Sequence, residues 1–369
     1  MFIDAMGLIL ADTKRISLGE LSKPRALAAV PFGGRYRIID FMLSGLVNSG
    51  VKSVGVIAQN KYMSLMDHLG TGAPWDLDRK KYGLRLLPPH VNSEFSDSGA
   101  SDELLGLWHF VQLNPHKYVI IAQANMIYNM SFNEVVDDHE KTGADITVVY
   151  NRDGVKYGSP TYIFEVDRKG CVQEMLLDPD KISSNRTCMG IMVLRRDLML
   201  EILSEAIARE EKVFDMRLFI RPSESLKIKA FEYKGLSFRI QNIQSYFNAS
   251  MALLTDKVRD ELFVNGMPIY TKIKDEAPTL YTAHSSVSNS LLSDGCRIMG
   301  SITDSVLFRG ITSARNSKLK NCVIMQNAHI SENCDLENVI VDKDVIVRPG
   351  TKLVGHKHHP IVIEKGAIV

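Results

Sequence analysis

Several features that would settle a function class early are missing from this chain of 369 residues. It has five cysteines, an odd number without a CxxC pair, so neither a disulfide scaffold nor a thiolate zinc site is indicated. Lys and Arg number 44 against 43 Asp and Glu, so no bulk charge favours nucleic acid or an anionic membrane surface. No apolar run approaches the roughly 20 residues that cross a bilayer, and no signal peptide is evident. We therefore expect a cytoplasmic protein with reduced thiols that binds neither nucleic acid nor membrane.

Short apolar segments alternate with amphipathic segments through the first part of the chain. We predict strands at residues 8–11, 54–59, 118–123 and 145–150, and helices from residue 38, across 104–111 and across 132–141. This alternation predicts βαβ units and a mostly parallel, Rossmann-like sheet covered on both faces. Ligands of such sheets lie beyond the carboxyl ends of the strands. The turns after Ala11, Gln59 and Gln123 are therefore where chemistry is expected.

The pattern changes after about Thr255, and the segment DEAPTL (275–280) is typical of a linker. Beyond it, aliphatic residues recur at intervals of six, with one phase shift, at Ile324, Ile330, Leu336, Val341, Val347 and Leu353. This period is typical of a left-handed parallel β-helix, although an irregular β domain is an alternative. We predict an α/β domain over residues 1–255, a linker over 256–285 and a β-helix over 286–369. Because its coil ends need covers, the β-helix is expected to pack against the first domain or another subunit.

Several segments, found in the same order, resemble bacterial glucose-1-phosphate adenylyltransferase, also called ADP-glucose pyrophosphorylase. They are PFGGRYRIIDFMLS (31–44), HLGTGAPWDLDR (68–79), LLPPH (86–90), CMGIMVL (188–194) and NSLLSDGCRIMGSITDSVLF (289–308). The resemblance implies a nucleotidyltransferase α/β domain followed by a left-handed β-helix. It also implies a tetramer that makes ADP-glucose and pyrophosphate from ATP and glucose 1-phosphate with magnesium and responds to anionic metabolites.

The family's phosphate-binding turn, GGRGSRL, corresponds here to residues 12–18. Asp12 and Thr13 replace glycines that let backbone N–H groups wrap a triphosphate. A charge pair at about 4 Å is worth several kcal/mol at an effective dielectric near 20, and for Asp12 beside a phosphate the interaction is repulsive. The family's phosphate-contacting arginine falls on Ser17, and the lysine of its RAKPA segment falls on Leu27. The resemblance therefore implies that the phosphate cradle is lost.

The resemblance also places the family's metal and sugar-phosphate ligands. The metal-binding aspartate of SGDHIY falls on Asn125, and its second metal ligand, in YWxDVGT, falls on Arg239. The glutamate and lysine of the sugar-phosphate clamp fall on Leu177 and Asp178. Two carboxylates would hold the magnesium that neutralises the transferring phosphates, whereas an amide and a cation would not. We therefore expect no catalytic residue, no metal site and no cofactor.

The concerted losses are similar to those of the non-catalytic D-type companion subunit of this family, which serves glycogen biosynthesis in some Gram-positive bacteria. That resemblance implies a regulatory or structural, catalytically impaired subunit that joins a catalytic homologous subunit in a hetero-oligomer, expected to be a tetramer. Two alternatives stay open. One is an active sugar nucleotidyltransferase with a remodelled site, and the other is a stand-alone metabolite-sensing protein.

Two basic segments remain to be interpreted. Arg35 and Arg37 lie in the segment that contributes to effector-anion binding in the family, and the resemblance implies a phosphorylated metabolite as effector. The alternative is that both arginines only form ion pairs at a surface or interface. The histidine-rich segment GHKHHP (355–360) has no second cluster of metal ligands, so a solvated loop is expected there rather than a metal site.

A residual nucleotide site is a further hypothesis. Gln59 and the segment GTGAPWDLD (70–78) match positions around the family's adenine pocket, and Gly99 and Asp102 fall on its GTADA segment. The alternative for the 70–78 segment is loop packing with Trp75 as the anchor.

Overall fold

The computed structural model of the chain describes residues 3–11, 16–58, 61–87, 102–152, 162–177, 184–211, 214, 218–219, 226–264 and 266–369. The strands of the first domain are β1 Ala5–Leu10, β2 Pro31–Phe32, β3 Tyr36–Arg37, β4 Ser53–Ile57, β5 Gly83–Leu87, β6 Tyr118–Gln123, β7 Met126–Tyr128, β8 Ile146–Asn151, β9 Tyr162–Val166, β10 Val172–Leu177, β11 Thr187–Arg195, β12 Ile228–Glu232 and β13 Ser237–Arg239. Its helices are α1 Ile38–Asn48, α2 Met63–Leu69, α3 Asp102–Leu113, α4 Phe132–Thr142, α5 Arg196–Ala208, α6 Ile243–Ala252 and α7 Asp256–Arg259, and a π-helical turn follows at Asp260–Val264. The four predicted strands correspond to β1, β4, β6 and β8, and the three predicted helices correspond to α1, α3 and α4, so these predictions are confirmed.

A nine-stranded sheet forms the centre of this domain, in the order β10-β9-β11-β6-β1-β4-β5, with β8 and β12 joined beside β11. Strands β6, β1, β4 and β5 are parallel, whereas β11 runs antiparallel to both β6 and β8. Every residue of β1 is buried, because helices cover both faces of the sheet. Ala5 and Ile9 face the core that contains α1, while Met6 and Leu8 face the core that contains α3 and α5.

Fifteen short strands form the second domain as three parallel sheets. They are β14 Leu280–Tyr281, β15 Ser286–Ser288, β16 Leu291–Leu292, β17 Arg297–Ile298, β18 Ser301–Thr303, β19 Val306–Leu307, β20 Thr312–Ser313, β21 Lys318–Lys320, β22 Val323–Ile324, β23 His329–Ile330, β24 Asp335–Glu337, β25 Val339–Val341, β26 Ile346–Val347, β27 Lys352–Val354 and β28 Ile361–Ile363. Every third strand pairs in parallel, so that each sheet is one face of a triangular left-handed β-helix. The predicted β-helix is confirmed. Helix α7 and strand β14 both lie within the stretch predicted as a linker.

The six-residue period marks the inner wall of the β-helix. Ile324, Ile330, Leu336, Val341 and Val347 are all fully buried. Eight corner residues have left-handed φ angles, a conformation that Asn and Asp adopt more readily than other non-glycine residues. They are Asn289, Asp304, Asn316, Asn321, Asn327, Asn333, Asn338 and Asp344.

The sheet formed by β16, β19, β22, β25 and β28 joins the two domains. Neighbouring side chains in a strand point to opposite sides of the sheet. In this sheet both sides are buried, as shown by Val306 and Leu307 in β19 and by their partners Val323 and Ile324 in β22. One side of this sheet lines the coil and the other packs on the first domain, so a single hydrophobic core runs through both. In the part of the chain that the structure describes, no helix is both long enough and apolar enough to span a bilayer.

Candidate functional site

The two positions that the resemblance assigns to the family's metal ligands lie close together at the end of the central sheet. Asn125 lies in the two-residue turn between β6 and β7, and β13 runs antiparallel to β7, with Arg239 paired to Met126. The backbone N–H of Ile240 donates to the carbonyl of Asn125 at 2.8 Å. Asn125 is 2% exposed, and its Oδ1 has no hydrogen-bond partner within the described residues. The structure therefore brings together two positions that lie more than a hundred residues apart in the sequence.

The Arg239 side chain reaches the wall formed by β11. Its guanidinium donates a hydrogen bond to the carbonyl of Cys188. The ladder between β11 and β8 shifts register just after Cys188, and Gly190 there has a φ of +72°. A Cβ at Gly190 would collide with the side chain of Gln123, so this irregularity within β11 requires glycine. Burial raises the pKa of the Cys188 thiol to about 11, which keeps it protonated and unsuited to act as a nucleophile.

Magnesium does not fit the residues at this place. A carboxylate pair is the donor set that this ion prefers, and here the two positions hold an asparagine and an arginine instead. Among the described residues, no three His, Cys, Asp or Glu side chains converge on one point. His356, His358 and His359 are exposed, and His356 and His359 pair through their backbones across a tight turn.

Leu27 lies in a 3-10 turn, Leu27–Ala29, between β1 and the hairpin of β2 and β3. It is 5% exposed and belongs to the core that joins the two domains. The next N–H, from Ala28, donates to the carbonyl of Ala11 at 3.3 Å, which ties the turn to the end of β1. The position that the resemblance assigns to the family's lysine therefore holds an apolar side chain packed into the core.

The other predicted site residues are spread more widely. Ser17 is exposed, and its hydroxyl accepts a hydrogen bond from the N–H of Gly19 at 3.3 Å. Leu177 ends β10, which is an edge strand of the sheet, and is half-buried. Asp102 begins α3, and only its backbone is described. Five predicted residues lie outside the described part of the chain, namely Asp12, Thr13, Gln59, Gly99 and Asp178.

The GTGAPWDLD segment packs through its aromatic residue. Trp75 is 2% exposed and meets the ring of His68 edge to face, with 5.7 Å between ring centroids. His68 Nε2 lies 2.6 Å from Asp40 Oδ1, and both groups are buried. Burial lowers the pKa of His68, and Asp40 opposes this effect. This packing matches the interpretation of Trp75 as a loop anchor and leaves the nucleotide hypothesis a prediction.

A second charged region lies where the two domains meet, and it contains Arg37. The Arg37 guanidinium donates to the carbonyl and the hydroxyl of Ser64, at 2.7 and 3.0 Å. Its backbone N–H donates to Asp40 at 2.9 Å, which caps the first turn of α1. Burial lowers the pKa of Arg37 to about 10, against the opposing charge of Asp40.

Two further cations, Arg25 and Lys343, complete this region, which we call the interdomain cation cluster together with Arg37. Arg25 is 2% exposed and donates to Asp342 Oδ1 at 2.9 Å from the other domain. Asp342 is fully buried, and its Oδ2 has no partner among the described residues. The pattern-based prediction included neither Arg25 nor Lys343. The only sequence feature that could have indicated this cluster is Arg25 itself, a charged residue followed by the apolar residues 26–29.

Lys343 is the cation in this cluster whose charge is least compensated. It is half-buried, and its ammonium group makes no hydrogen bond or ion pair to a described residue. The pKa of Lys343 is lowered to about 7. Burial is the largest cause, followed by the charges of Arg37 and Arg25, which together outweigh the opposing charge of Asp342. An anion placed here would restore the charged form, because an opposite charge at close range favours ionisation.

Arg35 lies at the tip of the β2–β3 hairpin and pairs instead with the second domain. Its guanidinium donates to Asp294 at 3.1 Å, and both side chains are almost half exposed. Arg309 of the β-helix is 7% exposed, and burial followed by the charge of Arg35 lowers the pKa of Arg309. The structure thus gives Arg35 an interface ion pair and gives Arg37 a place in the cation cluster.

Comparisons with known proteins agree with this architecture. Residues 6–223 match the nucleotidyl transferase family, and residues 277–360 match the GlmU-like C-terminal hexapeptide family. The glycogen biosynthesis protein GlgD of Bacillus subtilis (strain 168) is 34% identical over 364 residues, which cover 98% of this chain and 96% of that protein. The glucose-1-phosphate adenylyltransferase of Acetivibrio thermocellus is 30% identical over 359 residues, covering 95% of this chain and 83% of the relative. The enzyme of the same name from Bacillus mycoides (strain KBAB4) is 31% identical over 352 residues, 94% and 93% of the two chains.

These matches place the chain in a class first and then in a family. The fold and the match over residues 6–223 define a nucleotidyltransferase-type α/β protein that carries a hexapeptide-repeat β-helix. The nearly full-length relatives show that the chain belongs to the glucose-1-phosphate adenylyltransferase family, which confirms the resemblance seen in the sequence.

Proposed function

We propose that this chain is a regulatory, non-catalytic subunit of a glucose-1-phosphate adenylyltransferase complex in glycogen biosynthesis. The similarity to GlgD supports the process, and the similarity to several adenylyltransferases supports the reaction that the complex carries out. Its partner is a catalytic homologous subunit in a hetero-oligomer, which we propose to be a tetramer in the cytoplasm.

The observation that carries the proposal is the placement of Arg239 next to Asn125. In phosphoryl transfer the protein contributes mainly positioning and charge neutralisation, and magnesium supplies much of the latter. Here a cation stands where the resemblance puts a carboxylate, and the buried Leu27 replaces the lysine aimed at the phosphates. Both changes act against the same step, so they support loss of catalysis more strongly than either would alone.

A regulatory role also needs a place where a metabolite can act. The interdomain cation cluster offers one, since Arg25, Arg37 and Lys343 bring three positive groups together at the domain contact. A phosphorylated metabolite bound there would favour the charged form of Lys343 and would touch both domains at once. We propose that Arg37 is the part of the predicted effector site that contacts the anion, with Arg35 holding the hairpin against Asp294.

The direct test is the activity of the isolated chain. ADP-glucose formation is measured with magnesium and saturating ATP and glucose 1-phosphate, with a catalytic homologue as positive control. We expect no turnover above background. A turnover within about tenfold of the typical enzyme median of ~10 per second would contradict the proposal and favour an active enzyme with a remodelled site.

A further inference from the structure

One corner of the β-helix is two residues shorter than its neighbours. Between the first and second faces, the corners span residues 282–285, 314–317, 331–334 and 348–351, four residues each. In the second coil, only Met299 and Gly300 connect β17 to β18. Because the strands on both sides stay in register, the missing residues leave a gap in the ridge of corners. We call this gap the corner notch.

The backbone explains how the coil tolerates this shortcut. Met299 N–H donates to the carbonyl of Ser313 and Ser301 N–H donates to the carbonyl of Ser317, both at 2.8 Å, so the ladder continues past the notch. A Cβ at Gly300 would overlap Ser317, which means that only glycine lets the two coils approach this closely. The floor of the notch is therefore a continuous, hydrogen-bonded part of the coil.

The corner notch is a cavity of about 640 Å³, within the range of small-molecule sites. His284 of the coil above lies on one wall, and Arg315 and Asn316 of the coil below lie on the other. Lys318 and Ser301 extend the lining along the neighbouring face, and Asn333 extends it along the next corner. Polar side chains thus line most of the cavity.

The charges in the notch are unequally compensated. Asp335 also lines it, but its carboxylate has its own cation, Lys352, at 3.8 Å. Arg315 and Lys318 are exposed, and neither side chain has a hydrogen bond or an ion pair to a described residue. Elsewhere on the same face, Lys320 has Glu337 at 2.8 Å, so the neighbouring lysine in β21 is paired. Arg315 and Lys318 against Asp335, which is paired in register with Lys318, leave the lining with one net positive charge.

We propose that the corner notch binds a phosphorylated polyhydroxyl metabolite of about hexose phosphate size, at a site separate from the interdomain cation cluster. Arg315 and Lys318 take the phosphate through charge-assisted hydrogen bonds. The amides of Asn316 and Asn333, which bond to each other at 3.2 Å, and the hydroxyl of Ser301 take the ligand's hydroxyl groups. A bare phosphate ion would use the two cations and leave most of the volume to water.

Isothermal titration calorimetry on the full chain tests this site, with glucose 6-phosphate, inorganic phosphate and glucose as separate probes. The double variant Arg315→Gln/Lys318→Gln should weaken glucose 6-phosphate binding at one site by at least about tenfold. Ser301→Phe fills the cavity without changing a charge and should have the same effect. Lys320→Gln is the matched control on the same strand, and Lys343→Gln removes a cation of the other cluster. Both should leave the notch site intact.

The outcomes separate the proposal from its rivals. Unchanged glucose 6-phosphate binding in the double variant and in Ser301→Phe, with native thermal unfolding, would overturn it. Loss of all binding in Lys343→Gln would also overturn it, because the interdomain cation cluster would then be the whole site. Inorganic phosphate binding as tightly as glucose 6-phosphate would contradict the proposed ligand class, since the hydroxyl contacts would then contribute nothing.

Discussion

The guanidinium of Arg25 donates a hydrogen bond to the carboxylate of Asp342 at 2.9 Å across the contact between the two domains. Arg25 is 2% exposed and Asp342 is fully buried, so each is the other's principal charge compensation. Breaking such a pair from one side leaves an uncompensated charge in a region of low dielectric. The pair therefore ties the α/β domain to the β-helix in one arrangement.

Asp342→Asn should lower the free energy of unfolding by about 3 to 5 kcal/mol, because Arg25 would remain buried and charged. The double variant Arg25→Met/Asp342→Leu should recover a large part of this loss. Chemical denaturation of Arg25→Met, Asp342→Leu and the double variant gives the coupling energy. Equal and additive losses in the two single variants would show that the residues do not act as a pair.

Anion binding at the interdomain cation cluster should depend on pH through Lys343. Its pKa is about 7 without a ligand, and an anion favours the protonated form, so binding takes up a proton when the pH is above that value. Sulfate is a suitable probe because it stays a dianion throughout this range. We expect its dissociation constant to rise by up to about fivefold between pH 7 and 8 and to be nearly flat below about pH 6. The charged groups that face Lys343 are Arg25, Arg37, Lys274 and Asp342, and buried His68 lies nearby with a lowered pKa.

Lys343→Arg should flatten this pH profile, since a guanidinium stays charged over the whole range. Lys365→Arg is the matched control, because Lys365 lies on the surface near Asp344. A pH profile of sulfate binding that Lys343→Arg leaves unchanged would assign the titration to another group.

Restoring the two metal-ligand positions should not restore catalysis. Asn125→Asp with Arg239→Asp returns two carboxylates, but Leu27 is still packed in the core and the turn at 12–18 keeps its substitutions. We expect no useful ADP-glucose formation until Asp12→Gly, Thr13→Gly, Arg15→Gly, Ser17→Arg and Leu27→Lys are added. Magnesium-dependent thermal stabilisation reports separately whether the metal binds. Brisk turnover in the two-site variant would mean that Lys14 and Arg15 already hold the phosphates.

The repeating parts of the fold could be predicted from the sequence because each depends on local periodicity. Alternating apolar segments gave β1 and β6, and the six-residue period gave buried positions such as Ile330 and Val347. The proximity of Asn125 and Arg239 was implied by resemblance to a family, and in the structure Arg239 pairs with Met126, the residue after Asn125.

The rest depends on contacts between distant segments. The bond between Arg25 and Asp342 spans 317 positions, and no local pattern in either segment indicates the other. In the sequence, Lys343 looks like an ordinary surface lysine, and only its contact with the first domain makes it half-buried. The corner notch arises because one coil has two fewer residues in its corner than its neighbours. A regular six-residue period does not predict where such a shortened corner occurs.

We propose that this chain acts by joining and tuning a catalytic homologue. The most direct measurement is the rate of ADP-glucose formation by a catalytic homologue, with and without equimolar added chain, across a series of effector-anion concentrations. Light scattering on the eluted mixture reports its assembly. We predict a single hetero-oligomer whose turnover or anion response differs from that of the homologue alone, and Arg37→Gln in this chain should reduce that difference without dissociating the complex. Two separate homomeric peaks, with an unchanged rate and an unchanged anion response, would contradict the account and favour a stand-alone metabolite-sensing protein.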